Sequence, residues 1–309
     1  MFVQLLPQDD ATLIWVDRKA MATPVSAVRR VYQSPRLSPE GRRVAVSVFD
    51  EKDNADIWIH DIDRDVPMRL TFDERIETAP VWSPDGQWIV YTSARDGGAY
   101  LARKRADGSG PEEKLTTPTN DQVAMSFSPD GKWIAFTQTL TGGTDFMMLP
   151  LEGTRAPRPF VATSYQERGG VFSPDGGVVA YVSNDSGQNQ VFLRQFPDSG
   201  RKWQISNAGG TQPVWARDGK TLFYLDGSRL MSVEIARSPQ VAVAPPQFLF
   251  DARFREAILG SAGRAQYDVA ADGRFLFTES SDDRGVDPVI HVVVNWLDEL
   301  RRRMPGGGK

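Results

Sequence analysis

The tetrapeptide Ser-Pro-Asp-Gly occurs at Ser83–Gly86, Ser128–Gly131 and Ser173–Gly176. A near copy, SPEG, lies at Ser38–Gly41, and two eroded copies, ARDG and AADG, at Ala216–Gly219 and Ala270–Gly273. The six glycines are spaced 45, 45, 45, 43 and 54 residues apart. A fixed period of roughly 20–50 residues is the signature of a repeat architecture. Ser, Pro and Gly at the first, second and fourth positions fit a type I turn, in which Pro pre-sets φ and Gly accepts a positive φ. Apolar pairs precede the turns, such as Val81-Trp82 and Val171-Phe172. Short β-branched and aromatic runs follow them, such as Trp88-Ile89-Val90-Tyr91 and Trp133-Ile134-Ala135-Phe136. Each tetrapeptide therefore closes a β-hairpin.

Two further strands complete each unit. Third strands are read at Asp56-Ile57-Trp58-Ile59, 99–105, Asp145-Phe146-Met147-Met148, Gln190-Val191-Phe192-Leu193 and Arg229-Leu230-Met231-Ser232. Fourth strands are read at Met68-Arg69-Leu70-Thr71, 112–116, Arg158-Pro159-Phe160-Val161 and Lys202-Trp203-Gln204-Ile205. Four short antiparallel strands in about 40–45 residues make a propeller blade. The expected fold is all-β: one six-bladed β-propeller domain spanning 1–309, with blades at about 32–72, 77–116, 121–162, 167–206, 211–250 and 264–294. In the last blade, strands at 266–270, 274–279 and 289–294 are followed by a short helix over 295–304, with Asn295 as N-cap and arginines in its final turn. The strand at 12–17 is expected to supply the missing fourth strand and close the ring. The alternative count is a seventh, partial blade built from 2–6, 13–16 and 23–27.

Composition excludes several functions. The net charge of −4, from 36 basic and 40 acidic residues, does not suit a nucleic-acid surface. There is no cysteine, hence no disulfide or thiolate metal site. No apolar run reaches the ~18 residues of a membrane span, and MFVQLLPQDD is a poor signal peptide. His60 and His291, the two histidines, lie in different blades without a second ligand nearby. No nucleophile elbow is present, and the terminal GGGK lacks the remainder of a P-loop. Asp-rich loops such as 50–53 lack the calcium-loop pattern, so no metal, cofactor or catalytic residue is assigned. Trp82, Trp88, Trp133 and Trp215 read as packing between blades.

In a propeller, the loops that join fourth to first strands and second to third strands share one face. Alignment on the turn places Tyr32, Glu77, Gln122, Glu167 and Arg264 at one offset, with Gly210 in the fifth unit and Arg168 one position further on. Such a ring at the channel mouth suits a charged small ligand, a peptide end or a cation. The competing expectation is a set of solvated loop residues lining a wet channel. Nine extra residues near 251–263 carry Arg253, Phe254, Arg255 and Glu256, either a partner loop or an insertion.

The repeat resembles the TolB-type propeller repeat. DIWIHDID at 56–63, RLTFD at 69–73 and KLTT at 114–117 carry the resemblance. LIWVDRKAM at 13–21, SPRLSPEGRRVAV at 34–46, GTQPVWARDGKTLFY at 210–224 and VVVNWLDELRRRMP at 292–305 are similar to C-terminal propellers of bacterial membrane serine/threonine kinases. That likeness implies a sensor or protein-interaction platform, extracytoplasmic if it belongs to a longer kinase-linked polypeptide and otherwise cytoplasmic. The chain has no Gly-rich loop, H-R-D or D-F-G of a kinase. The expected function is therefore a non-catalytic scaffold or sensor that binds a protein, peptide or small ligand at the channel mouth, without nucleic acid. The alternative is a lactonase-like propeller enzyme or metal-dependent small-ligand binder that uses the same polar ring.

Overall fold

The structure, a computed structural model, describes residues 10–95, 98–117, 120–197, 200–237, 240–252 and 264–280. These form six antiparallel sheets. Blade 1 consists of β3 (Val31–Leu37), β4 (Arg43–Phe49), β5 (Ala55–Asp61) and β6 (Val66–Arg69). Blade 2 consists of β7 (Glu77–Trp82), β8 (Trp88–Arg95), β9 (Gly98–Arg105) and β10 (Glu113–Lys114). Blade 3 holds β11 (Gln122–Phe127), β12 (Trp133–Leu140), β13 (Gly143–Pro150) and β14 (Arg158–Val161). Blade 4 holds β15 (Glu167–Phe172), β16 (Val178–Ser183), β17 (Gln190–Gln195) and β18 (Lys202–Gln204).

Blade 5 contains β19 (Thr211–Trp215), β20 (Thr221–Asp226) and β21 (Arg229–Ala236), and its outer strand is split. β22 (Ala242–Val243) pairs with one end of β21, and β23 (Gln247–Asp251) with the other. Pro245 and Pro246 lie between the two pieces, and proline has no N–H to continue a ladder.

All six turns form as expected. In each, the glycine N–H donates to the carbonyl three residues earlier, at 2.8–3.0 Å, from Gly41→Ser38 to Gly273→Ala270. The glycines have φ between 68° and 84°. Ser83, Ser128 and Ser173 add a second closure, because each hydroxyl accepts the N–H of the residue five positions on, at 2.9–3.2 Å.

The sixth blade differs from expectation. β1 (Ala11–Val16) does not take the outer place. It pairs with β25 (Phe275–Ser280), from Thr12↔Glu279 to Val16↔Phe275, and so occupies the third position. β2 (Ala22–Pro24) supplies the outer strand, and β24 (Asp268–Val269) the inner one. The physical reason is burial on both faces. Leu13 and Trp15 pack with Leu37, Val44 and Val46 of blade 1. Ile14 and Val16 pack with Phe223 and Phe250 of blade 5. Outer strands carry an exposed face instead, as in β2, β6 and β18. A six-residue run apolar on both sides needs a partner on each edge. The expected strand at 289–294 and helix at 295–304 lie outside the described residues, which contain no helix. Six sheets exclude the seven-blade count within them.

Each interface between neighbouring blades holds one apolar cluster. The inner strands share a further device, a β-bulge. Registers shift at Gln33/Arg36, Thr78/Val81, Ala124/Ser126, Arg168/Val171 and Thr211/Val214. Ser34, Ala79, Gly169 and Gln212 take left-handed φ of 54–61° within them. The bulge turns a backbone N–H toward the preceding blade: Ala79 N donates to Ser47 Oγ at 3.2 Å, and Ala124 N to Thr92 Oγ1 at 3.1 Å.

The blade 6–blade 1 seam is stitched by polar groups. Gln266 Oε1 accepts from Ser34 N at 2.9 Å, and Asp268 Oδ2 accepts from Leu37 N at 2.8 Å. Arg217 of blade 5 reaches over both, donating to Val269 O at 3.3 Å and Leu37 O at 3.2 Å. Arg217→Ala is expected to lower the unfolding free energy by about 1–2 kcal/mol, because the carbonyls of Val269, Leu37 and Ser38 lose a charged donor. Chemical denaturation with an unchanged m-value is the check.

Blades 3 and 4 approach more closely. A Cβ on Gly170 would fall 1.7 Å from Cζ of Phe146, a fully buried ring stacked on Tyr181. Gly170→Ala is expected to destabilise by more than about 2 kcal/mol, and Phe146→Leu in the same chain to recover part of the loss. Thermal unfolding of the two single variants and the double variant measures the coupling.

Candidate functional site

The loops joining outer to inner strands, and second to third strands, lie on one face, opposite the six Gly turns. The expected ring residues sit at the start of inner strands on this loop face. Their placement corrects the picture of an open, wet ring. Tyr32 is 3% exposed, Glu77 1%, Gln122 3% and Glu167 1%. A hydroxyl at the end of each preceding outer strand holds the blade 2, 3 and 4 members from behind. Thr71 hydrogen-bonds Glu77, Thr116 donates to Gln122 Oε1, and Thr163 donates to Glu167 Oε1 at 2.6 Å. Thr71 and Thr116 also accept the N–H of Ile57 and Leu101, both at 2.9 Å. Thus R-L-T and K-L-T form a bracket that ties an outer strand, a third strand and the next blade together.

Blade 5 has no side chain at this position. A Cβ on Gly210 would come 2.5 Å from Ser206 Oγ, and Ser206 donates to Gln190 instead. Tyr32 departs from the pattern by donating to Val28 O at 3.3 Å. Arg168 is half-buried and donates to Gln166 Oε1 at 2.8 Å. Gln122 also borders an open groove of about 670 Å³ between blades 2 and 3, floored by Leu115 and Met147. Arg253, Phe254, Arg255 and Glu256 lie outside the described residues.

Burial governs the protonation of the ring. It raises the Glu77 carboxyl from 4.5 to about 7. The Thr71 bond opposes this, whereas Glu112, Asp56 and Asp73 reinforce it as like charges. Glu167 is raised for the same reason, aided by Asp145 and Asp185 and opposed by Thr163. One oxygen of each carboxyl, Oε2, is buried without a hydrogen-bond partner. A protonated acid tolerates such a place and a carboxylate does not. Arg264 is lowered to about 10, first by burial and then by the like charge of Arg36.

Arg36 and Arg217 were not singled out in the sequence, yet both carried a signal. Arg36 stands in the column occupied by Val81, Val171 and Val214 in other blades, and Arg217 in the column of Pro39, Pro84, Pro129 and Pro174. Arg36 Nη1 donates to Tyr267 O at 3.3 Å across the seam, and burial lowers its pKa while Asp268 opposes the shift.

Four large apolar side chains stand exposed on the loop face among charged and polar loop residues. Phe72 is 66% exposed, Ile76 43%, Tyr165 45% and Leu140 39%. Phe72, Ile76 and Tyr165 lie in outer-to-inner connections, and Leu140 at the hairpin end of β12. The Arg69 guanidinium stands 5.0 Å above the Phe72 ring and Lys104 Nζ 5.8 Å from it. Among the described residues no group of three or more His, Asp or Glu side chains is placed to hold a metal ion, and His60 is buried beside Asp65 at 2.9 Å. No helix among them is long and apolar enough to cross a membrane.

Glu77→Gln copies the amide that blade 3 already carries at Gln122. Because the folded-state pKa of Glu77 is raised, its contribution to stability is full below pH 4.5 and fades as pH rises through about 7. The substitution is expected to raise stability at about pH 8 by on the order of 2 kcal/mol, with the difference closing below about pH 5. Melting curves of both proteins across that range are the check.

Residues 8–154 match the sequence profile of the TolB beta propeller domain family, PD40. The Tol-Pal system protein TolB of Alcanivorax borkumensis is 38% identical over 64 residues, which is 21% of this chain and 15% of that protein. The match therefore spans a small fraction of that relative. Among solved structures, one described as a TolB candidate from Agrobacterium tumefaciens superposes with a TM-score of 0.70 at 16% identity, covering 88% of this chain and 98% of the other. An oligogalacturonate lyase in complex with manganese reaches a TM-score of 0.58 at 13% identity, covering 85% and 81%. At such identities the likeness concerns the fold alone. The chain is thus a six-bladed β-propeller whose residues 8–154 match the TolB beta propeller domain, PD40.

Proposed function

We propose that the chain is a non-catalytic binding propeller that engages a protein or peptide through its loop face. One observation carries this reading: Phe72, Ile76, Leu140 and Tyr165 are large apolar side chains, 39–66% exposed, three in connections and Leu140 at a strand end on that face between blades 1 and 4. Apolar and aromatic anchors ringed by cations and polar loops are what a protein partner desolvates most profitably. Glu77, Gln122 and Glu167 would act from behind, shaping these loops, with Arg168 and Arg264 supplying charge. The match to TolB proteins, which belong to a Tol-Pal system, supports a partner-binding role. The resemblance to kinase-attached propellers extends it to a sensor, and the reading frame upstream of Met1 tests that extension.

A photoreactive phenylalanine analogue placed at Phe72 or Tyr165 is expected to crosslink a discrete partner in the source cell. The same group at Lys132, on the turn face, is expected to give none. Once the partner is in hand, Phe72→Ala and Tyr165→Ala should each weaken binding by about tenfold or more. Adducts formed only from Lys132 would overturn the assignment of the face.

A further inference from the structure

The Thr–Glu brackets coincide with the loops that carry the exposed apolar side chains. The connection between Thr71 and Glu77 contains Phe72 and Ile76, and that between Thr163 and Glu167 contains Tyr165. The corresponding blade 3 connection closes on an amide, Gln122, and carries no large exposed apolar side chain among the described residues. We propose that protonation of Glu77 and Glu167 clamps these two connections, so that the apolar loop face is held in one presentation in mildly acidic surroundings and loosened in alkaline ones. This rests on the reading of the loop face as the docking surface, which it equips with a control.

The geometry supplies the coupling. Glu77 opens β7 and Thr71 closes the β6 edge, so their hydrogen bond spans the connection between them. Thr71 has one hydroxyl proton and two carboxyl groups beside it, Glu77 and Asp56, the latter with Oδ1 at 3.4 Å. Asp56 of β5 is itself paired with Arg69 at 2.6 Å. From the other side Glu77 faces Glu112, which accepts from Tyr91 of β8 at 2.6 Å and from Tyr100 of β9 at 3.3 Å, while Asp73 of its own connection adds a third acid. Around Glu167 stand Asp145 of β13 and Asp185 of the β16–β17 connection, the latter paired with Lys202, as well as Tyr181 of β16 and the adjoining Arg168.

An ionised Glu77 or Glu167 therefore meets mostly acids, and its Oε2 has no donor among its neighbours. Moving outward to water relieves both penalties, and the backbone of the connection must move with it. In an opened connection the carboxyl regains its ordinary proton affinity. The clamped form thus holds the proton more tightly, is favoured at low pH, and gives way as pH rises through the raised pKa.

Hydrogen exchange of the free protein, read by mass spectrometry, tests this without any partner, so its failure is distinct from failure of the crosslinking experiment. Between about pH 6 and about pH 8, protection of 70–77 should fall by roughly tenfold beyond the intrinsic chemical rate, and protection of 163–167 should fall likewise as pH rises above the ordinary carboxylate range. The 116–122 connection, closed by Gln122, should show no such loss. Glu77→Gln should abolish the pH dependence at 70–77 alone, and Glu167→Gln at 163–167 alone. Protection that is indifferent to pH in the native protein, an equal loss at 116–122, or a dependence that survives both substitutions would overturn the proposal.

Discussion

A short strand that is apolar on both faces cannot remain at the edge of a sheet, and the ring depends on that constraint. β1 buries Leu13 and Trp15 against blade 1 and Ile14 and Val16 against blade 5. Those two demands can be met at once only inside a blade, with a backbone partner on either edge. β25 supplies one partner and β2 the other. Closure is then completed by hydrogen bonds, those of Arg217 and Asp268 charge-assisted and that of Gln266 neutral. Arg217, Asp268 and Gln266 span the junction where the inner strand is only two residues long. Polar stitching is strongest where the apolar zipper of the inner strands is shortest.

Much of the architecture was legible because one tetrapeptide performs the same local task in every unit. Ser38, Ser83, Ser128 and Ser173 announce a turn through their own chemistry, and Gly219 and Gly273 preserve it after serine and proline have gone. The place of β1 was harder to read. A propeller needs a borrowed strand, but whether that strand sits third or fourth depends on what covers its outer face. The contrast between continuous Leu-Ile-Trp-Val and the alternating outer strands held the answer. The break at Pro245-Pro246 in the blade 5 outer strand was likewise present as two residues without a donor.

The candidate site was legible in position and not in exposure. Equal offset from the turn correctly gathered Glu77, Gln122 and Glu167 at equivalent places. It did not reveal that Thr71, Thr116 and Thr163 lie behind them and draw their side chains out of water. The partners come from the preceding blade, and a sequence column shows only one blade's member. Phe72 and Tyr165 escaped notice for the opposite reason. They follow no period, and a residue that serves recognition rather than the repeat has no need to. Departures from the column, such as Arg36 among valines and Arg217 among prolines, are the visible trace of blade-specific roles.

The sharing of one blade between the two ends of the repeat array has a consequence for biogenesis. Residues 11–16 leave a ribosome before the five other blades, whereas their partner at 275–280 leaves after them. Until then Leu13, Ile14, Trp15 and Val16 have no lasting sheet to join, and the nascent arc presents two open flanks. Sealing is a late, long-range event, and such events are slow and exposed to misassociation. The growing chain must therefore be shielded, or its early blades must tolerate waiting, while the five intervening blades are made.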